Sequence, residues 1–338
     1  MRALLAALAL ALVLPGSAHA AWKVLDFPKA DTTLRAVGVT GPKQFHVSGS
    51  KGTYAVTDDG GTTWRMATPP GGEALDFRGL AGLDPKTTVL TSAGDGPAGQ
   101  AKVFRTADAG LTWSLTFETR LPGSFLDAVA FRDARRGFIL GDPIDGRWFL
   151  LRTADGGKSW TRAEGPAVES GEAAFAASNS ALFLGARSEA WIVSGGLAKG
   201  RVFHSKDDGR TWTVSETSLS AGATSGVFGG LALRRDRAVV VGGDYKEELR
   251  AGPSLAVGGG RDWTLPPHAG TPRLLEGVGR LDARTLIAVG PRGTSLSEDD
   301  GATWRQVDDQ AFHAIGCRAG VCVAAGGKGH VAVWEPTP

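Results

Sequence analysis

The stretch TDDGGTTW, Thr57 to Trp64, recurs down the chain as TADAGLTW from Thr106, TADGGKSW from Thr153, SKDDGRTW from Ser205 and SEDDGATW from Ser297. The tryptophans that end these copies are Trp64, Trp113, Trp160, Trp212 and Trp304, and a degenerate copy, LAVGGGRDW, ends at Trp263. Successive tryptophans stand roughly 41 to 52 residues apart, the period of propeller blades or large solenoid repeats. The material between copies decides which. In the first repeat TLRAVGV, QFHVSGS, GTYAVTDDGG and TTWRMAT are four short runs rich in Val, Thr and aromatic residues, broken by Gly and Pro, with no helical periodicity. A four-stranded antiparallel sheet repeated radially is a β-propeller blade, so the expected fold class is all-β.

The chain ends set the blade count. GHVAVWE, Gly329 to Glu335, aligns with the third-strand run GTYAVTD, but no box follows Trp334. AWKVLDFP, from Ala21, aligns with the fourth-strand run TWRMATPP. The N-terminal strand is therefore expected to complete a seventh blade, closing the ring and removing the sheet edges that would recruit other chains. The expected blade limits are 29–69, 70–119, 120–165, 166–219, 220–267, 268–308, and 309–338 completed by 21–28.

Residues 1–20 stand apart. MRALLAALALALVLPGSAHA carries one early charge, Arg2, an apolar run too short for a comfortable bilayer span, and the small-x-small end Ala18-His19-Ala20. This reads as a cleaved secretory signal, leaving 21–338 as one domain in the periplasm or secreted, without stable membrane insertion. With 37 basic and 35 acidic residues, the net charge of +2 leaves no nucleic-acid footprint. The two cysteines, Cys317 and Cys322, face each other across an expected hairpin. In an oxidising compartment they suit a local disulfide better than a metal site.

A motif present in nearly every blade describes the blade. Asp59, Asp108, Asp155, Asp207 and Asp299 are expected to accept hydrogen bonds from their own turns, with the Gly two residues later at positive φ and the Trp wedged between blades. A site is expected on the opposite face, at the channel mouth. Aligning first strands as LRAV, FRGL, LDAV, LEGV and FHAI puts Arg35, Arg78, Asp127, Glu276 and His313 at one equivalent position, either a binding ring or mutually paired charge. Beside them should lie the loops 92–100, 141–147, 194–200 and 242–250, which bring Asp142, Arg147, Asp244 and Tyr245. Glu172, Ser178 and Asn179 interrupt the apolar run expected to form the inner strand of blade four, and are expected to line the channel and hold either water or a ligand, with Asn179 counted among the candidate binding residues.

The spacing Ser/Thr-x-Asp-x-Gly-x-Ser/Thr-Trp is that of the Asp-box, or BNR repeat, of sialidases and many other propellers. A sialidase needs an arginine cluster, a Tyr nucleophile backed by Glu, and an acid/base Asp. Here only Tyr54 and Tyr245 are available, and Tyr245 beside Glu247 and Glu248 is the one candidate pair. LRAVGVTGPKQFHVSGSKGTYAVTDDGGTTW and FLDAVAFRDARRGFILGDPIDGRWFLLRTADGGKSW resemble instead the blades of exported bacterial relatives of photosystem II assembly and stability factors. That resemblance implies a non-catalytic scaffold binding a protein or peptide such as an exported or membrane-protein subunit; the chain itself is expected to be a monomer without cofactor or metal. The mixed-sign ring agrees with it, because a polypeptide offers both charges whereas a sialic acid mainly wants cations. A sialidase-like hydrolase or a glycan-binding lectin is the alternative.

Overall fold

The computed structural model describes residues 21–175 and 178–335, so the expected signal segment lies outside the described residues. Seven antiparallel sheets follow one another along the chain. Blade one is typical: Leu34–Gly41, Gln44–Gly49, Thr53–Thr57 and Arg65–Met66 pair in sequence order. The first strands of the other blades are Phe77–Gly82, Leu126–Phe131, Leu182–Leu184, Ser225–Arg234, Gly277–Arg280 and Ala314–Arg318. Each touches its neighbours, and the last touches Leu34–Gly41, so together they form the inner ring of a closed propeller.

Closure joins the two ends of the described chain. Ala21–Leu25 pairs antiparallel with Val331–Glu335, from Ala21 opposite Glu335 to Leu25 opposite Val331. Trp22 locks the joint. It is buried between Phe312 and Trp334, each with ring centroids 4.9 Å away, and its indole N–H donates to Thr294 Oγ1 of blade six at 2.9 Å.

The repeated turn is a hydrogen-bonded joint. Thr57 donates to Asp59 Oδ1 at 2.8 Å and accepts from the Gly61 N–H at 3.0 Å, while Thr63 gives its N–H to Asp59 Oδ1 and its hydroxyl to Oδ2. Gly61 stands at φ 89°, a conformation costly for residues with a side chain. The same bonds recur around Asp108, Asp155, Asp207 and Asp299. Held charge-to-dipole in this way, Asp108 and Asp155 fall to pKa values of about 2, chiefly through the hydroxyls of Thr112 and Ser159. In blade five, where the motif is degenerate, a tight hairpin pairing Gly259 with Asp262 replaces the box.

The tryptophans pack across blade boundaries. Trp113 meets Tyr54 of blade one edge-on at 5.1 Å and donates to Ala67 O, and Trp64 meets Phe27 at 5.3 Å. Blade six departs from the plain pattern: His268–Ala269 adds a short fifth strand, parallel to Trp304–Asp308. Cys317 and Cys322 pair directly across the first hairpin of blade seven and are joined by a disulfide. Among the described residues no helix is long and apolar enough to cross a membrane.

Candidate functional site

Three of the five first-strand residues sit on β-bulges. Register slips between Leu34 and Ala36, between Phe77 and Gly79, and between Leu126 and Ala128, leaving Arg35, Arg78 and Asp127 as the extra residues. A bulge re-aims the side chain it carries. Glu276 and His313 occupy the same place in blades six and seven, their N–H groups bonded to Val289 O and Ala325 O just before the ladders begin. Blade five fills the position with Phe228, bulged between Val227 and Gly229. Its VFGG shares the first three positions of FRGL, apolar-x-Gly, but has Gly230 in place of the apolar fourth, so the pattern that aligns five blades leaves it out.

The polar members fall into two depths. Asp127 is fully buried and Glu276 nearly so, whereas Arg35, Arg78 and His313 are partly exposed. Glu276 Oε2 lies 2.6 Å from His313 Nδ1. Arg78 donates to Asp76 Oδ2 at 2.8 Å, and its guanidinium lies 5.7 Å from the centre of the Phe125 ring. Burial pulls the Arg35 pKa down and Arg78 adds to that, against the pull of Glu276 and Asp76. Asp76 and Phe125, in the segments leading into these strands, were not foreseen from the repeat alignment.

Asp127 is the anomaly. Neither of its carboxylate oxygens accepts a hydrogen bond from any described group. Burial first, and the neighbouring Asp142 carboxylate second, push its pKa well above the carboxylate range, with Arg78 opposing. Asp142, at the end of the second strand of blade three, is raised to about 6 by burial, partly offset by the Ala174 N–H donated to its Oδ1 at 3.3 Å. The mouth thus holds an acidic pair with the Arg78 guanidinium near Asp127.

The other side of the mouth is aromatic. Phe175 packs on Phe228 at 4.7 Å and on Tyr245 at 5.6 Å, and Tyr245 is 44% exposed. The carboxylates beside Tyr245 are engaged elsewhere: Glu247 pairs with Arg250 at 3.4 Å and Glu248 with Arg292 at 3.0 Å. No described hydrogen bond links either to the Tyr245 hydroxyl, so the nucleophile pair considered above is not assembled. The other tyrosine, Tyr54, is fully buried and bonded to His46 Nδ1 at 2.9 Å; burial pushes it up to about 12. Asp244 caps its own turn, accepting from Thr224 Oγ1 and the Lys246 N–H. Arg147 is turned outward to Glu164 and Gly165 O and takes no part in the ring.

The expectation for Glu172, Ser178 and Asn179 is corrected. They precede the inner strand of blade four, which begins only at Leu182, and each is bonded to protein groups. Glu172 accepts from Ser194 Oγ at 2.5 Å and pairs with Arg201 at 3.1 Å within its own blade. Asn179, at φ 61°, donates to Leu80 O and accepts from the Val129 N–H, while Ser178 and Ser180 donate to Glu276 O. Residues 178–180 of blade four therefore reach blades two, three and six, which they can do only across the axis. Gly79 and Gly229 make room: a Cβ on either would come within 3.3 Å of Asn179 Oδ1 or 1.9 Å of Ser180 Oγ. The channel is plugged by protein beneath the mouth.

The resulting surface is a shallow floor with partly exposed cations, a raised-pKa acid and aromatic rings. No three metal-ligating side chains meet there among the described residues. No family model and no curated protein matches the chain. Solved structures do match. One described as YCF48 bound to D1 peptide is 16% identical, covering 97% of this chain and 99% of that one, with a TM-score of 0.66. YCF48 from Cyanidioschyzon merolae is 14% identical over 94% and 99% of the two chains, with a TM-score of 0.68. The Niastella koreensis GH74 enzyme is 15% identical over 91% of this chain and 53% of that one, with a TM-score of 0.63. At these identities the likeness shows the fold: this chain is a seven-bladed propeller.

Proposed function

We propose that the protein is an exported, monomeric, non-catalytic scaffold that holds a segment of a partner polypeptide across the channel mouth. The observation that carries this is the composition of one surface. Arg35, Arg78 and His313 are partly exposed at equivalent places of the inner ring, Asp142 lies beside buried Asp127, and Phe175 and Tyr245 make an aromatic side. A polypeptide supplies carboxylates, N–H groups and apolar side chains together; buried Glu276 pairs with His313 and attracts Arg35 from below. The likeness to YCF48 bound to D1 peptide supports the reading as an analogy of fold. The resemblance of the blades to photosystem II assembly factors suggests an exported or membrane-protein subunit as partner, and residues 1–20 suggest the compartment.

The test is affinity purification from the exported fraction, followed by an array of peptides from the captured partner. Wild type is compared with Arg35→Ala plus Arg78→Ala and with Tyr245→Ala. Loss of the same peptides in both variants is expected. Unchanged partners and peptides would remove the mouth as the contact surface.

One observation favours a hydrolase: Asp127 and Asp142 form an acidic pair in which a carboxyl retains its proton near neutrality, as a general acid must. Turnover of fluorogenic glycosides or sialosides, lost in Asp142→Asn, would establish it; loss in Tyr245→Phe would establish the sialidase-like form. A glycan array separates the lectin alternative.

A further inference from the structure

A second polar cluster lies on the box face, away from the mouth. Glu189 stands in the turn before the second strand of blade four, His204 is one residue before the box serine Ser205, and Asp236 is in the first turn of blade five. Each offers one ligand atom, and these atoms lie within 4.8 Å of one another. The side chains of Glu189 and His204 are 5% and 4% exposed. Inside this cluster His204 Nε2 and Glu189 Oε2 have no hydrogen-bond partner. Two buried polar atoms without partners, on side chains that approach within 3.9 Å through Glu189 Oε1, represent an unmet demand for a cation or donor.

We propose that Glu189, His204 and Asp236 bind a zinc-class divalent cation that ties blade four to blade five. The donor set is one imidazole nitrogen and two carboxylates, which suits zinc with water in the fourth position. Calcium wants six to eight oxygens, which three side chains do not supply. His204 Nε2 and Glu189 Oε1 are 3.9 Å apart, and tetrahedral zinc would draw its ligands to about 3.3 Å of each other. The change is a side-chain adjustment.

The surroundings already hold the ligands in place. Trp191 stacks on the His204 ring at 3.5 Å between centroids and 8° between planes, fixing its orientation. The Asp236 N–H donates to Glu189 Oε1 at 2.9 Å, tying the two carboxylate-bearing segments together across the blade boundary. Gly185 leaves space at Glu189 Oε2, where a Cβ would stand only 2.4 Å away. Lys206 Nζ now lies 2.6 Å from Asp236 Oδ1. It is the local competitor, and with a side chain 58% exposed it can swing into water when a dication arrives.

Chelator-treated full-length protein would be titrated with zinc by calorimetry and with cobalt by its visible absorption. One equivalent of zinc should bind, with tetrahedral cobalt bands, and at about a hundredfold excess over Kd the Tm should rise by about 4 °C. Affinity should fall at least tenfold in His204→Gln and in Glu189→Gln, as expected when a ligand is lost, and rise in Lys206→Ala. Near-UV dichroism of the metal-free variants checks that they fold. Absence of saturable one-equivalent binding to wild type would overturn the proposal. So would equal binding by wild type and both ligand variants, which would place the metal on other histidines.

Discussion

Asp142→Asn should make the free protein more stable at neutral pH. The folded carboxyl has a pKa of about 6 against an ordinary value of 3.8, so the native state binds this proton more tightly than the unfolded chain. Its contribution to stability is then complete below pH 3.8 and is lost as pH rises through about 6. A displacement of about two pH units corresponds to about 3 kcal/mol, and the partial exposure of Asp142 reduces this to about 2 kcal/mol at pH 7 to 8. Asparagine keeps an oxygen to accept the Ala174 N–H and carries no charge, so it removes the penalty while keeping the bond. The assay is urea unfolding at pH 5, 6, 7 and 8. The wild-type midpoint should rise as pH falls from 8 to 5, while the variant should start higher at pH 8 and change less. A variant no more stable than wild type at pH 8, or one with an unaltered pH slope, would refute the argument that burial raises this acid.

Other perturbations test the ring and the plug. Trp22→Ala removes the aromatic lock between the chain ends and should cost about 4 kcal/mol, about 6 °C in Tm by calorimetry; removing residues 21–28 should do more, and an unchanged melting curve would contradict closure. Asn179→Gly keeps the positive φ but deletes the bonds to Leu80 and Val129, and should cost about 1–3 kcal/mol in chemical denaturation. Asn179→Ala should cost more, because alanine also resists that backbone conformation. Replacing Cys317 and Cys322 with serine opens only a short loop and should lower stability by about 2 kcal/mol, with the fold retained by far-UV dichroism.

The ring was legible because its determinants are local and repeated. The box turn is a closed set of bonds within seven residues, so TDDGGTTW announces itself wherever it occurs, and the separation of copies counts the sheets. The closing strand was legible because AWKVLDFP carries fourth-strand chemistry without a blade of its own. The plug was not. Asn179, Ser178 and Ser180 find their partners in blades two, three and six, nearly a hundred residues away in the chain for three of these contacts, and no local spacing encodes where an axis lies. Their polarity was visible; their partners were not.

The same distinction separates the joint from the candidate site. Each aspartate of a box is surrounded by donors from its own turn, which hold it ionised and fully engaged. Asp127 has the opposite surroundings: a bulge aims it inward, no described donor meets it, and a second acid stands beside it. A carboxylate with satisfied bonds stabilises the fold, whereas one left buried without them destabilises it, and such a cost points to a use outside the fold. The cost of Asp142 in the free protein and the loss of a partner on altering Arg35 and Arg78 are therefore linked expectations. If Asp142→Asn were stabilising and partner binding were unaffected, the acidic pair would be a flaw of packing, and the contact surface would have to be sought in the aromatic side of the mouth alone.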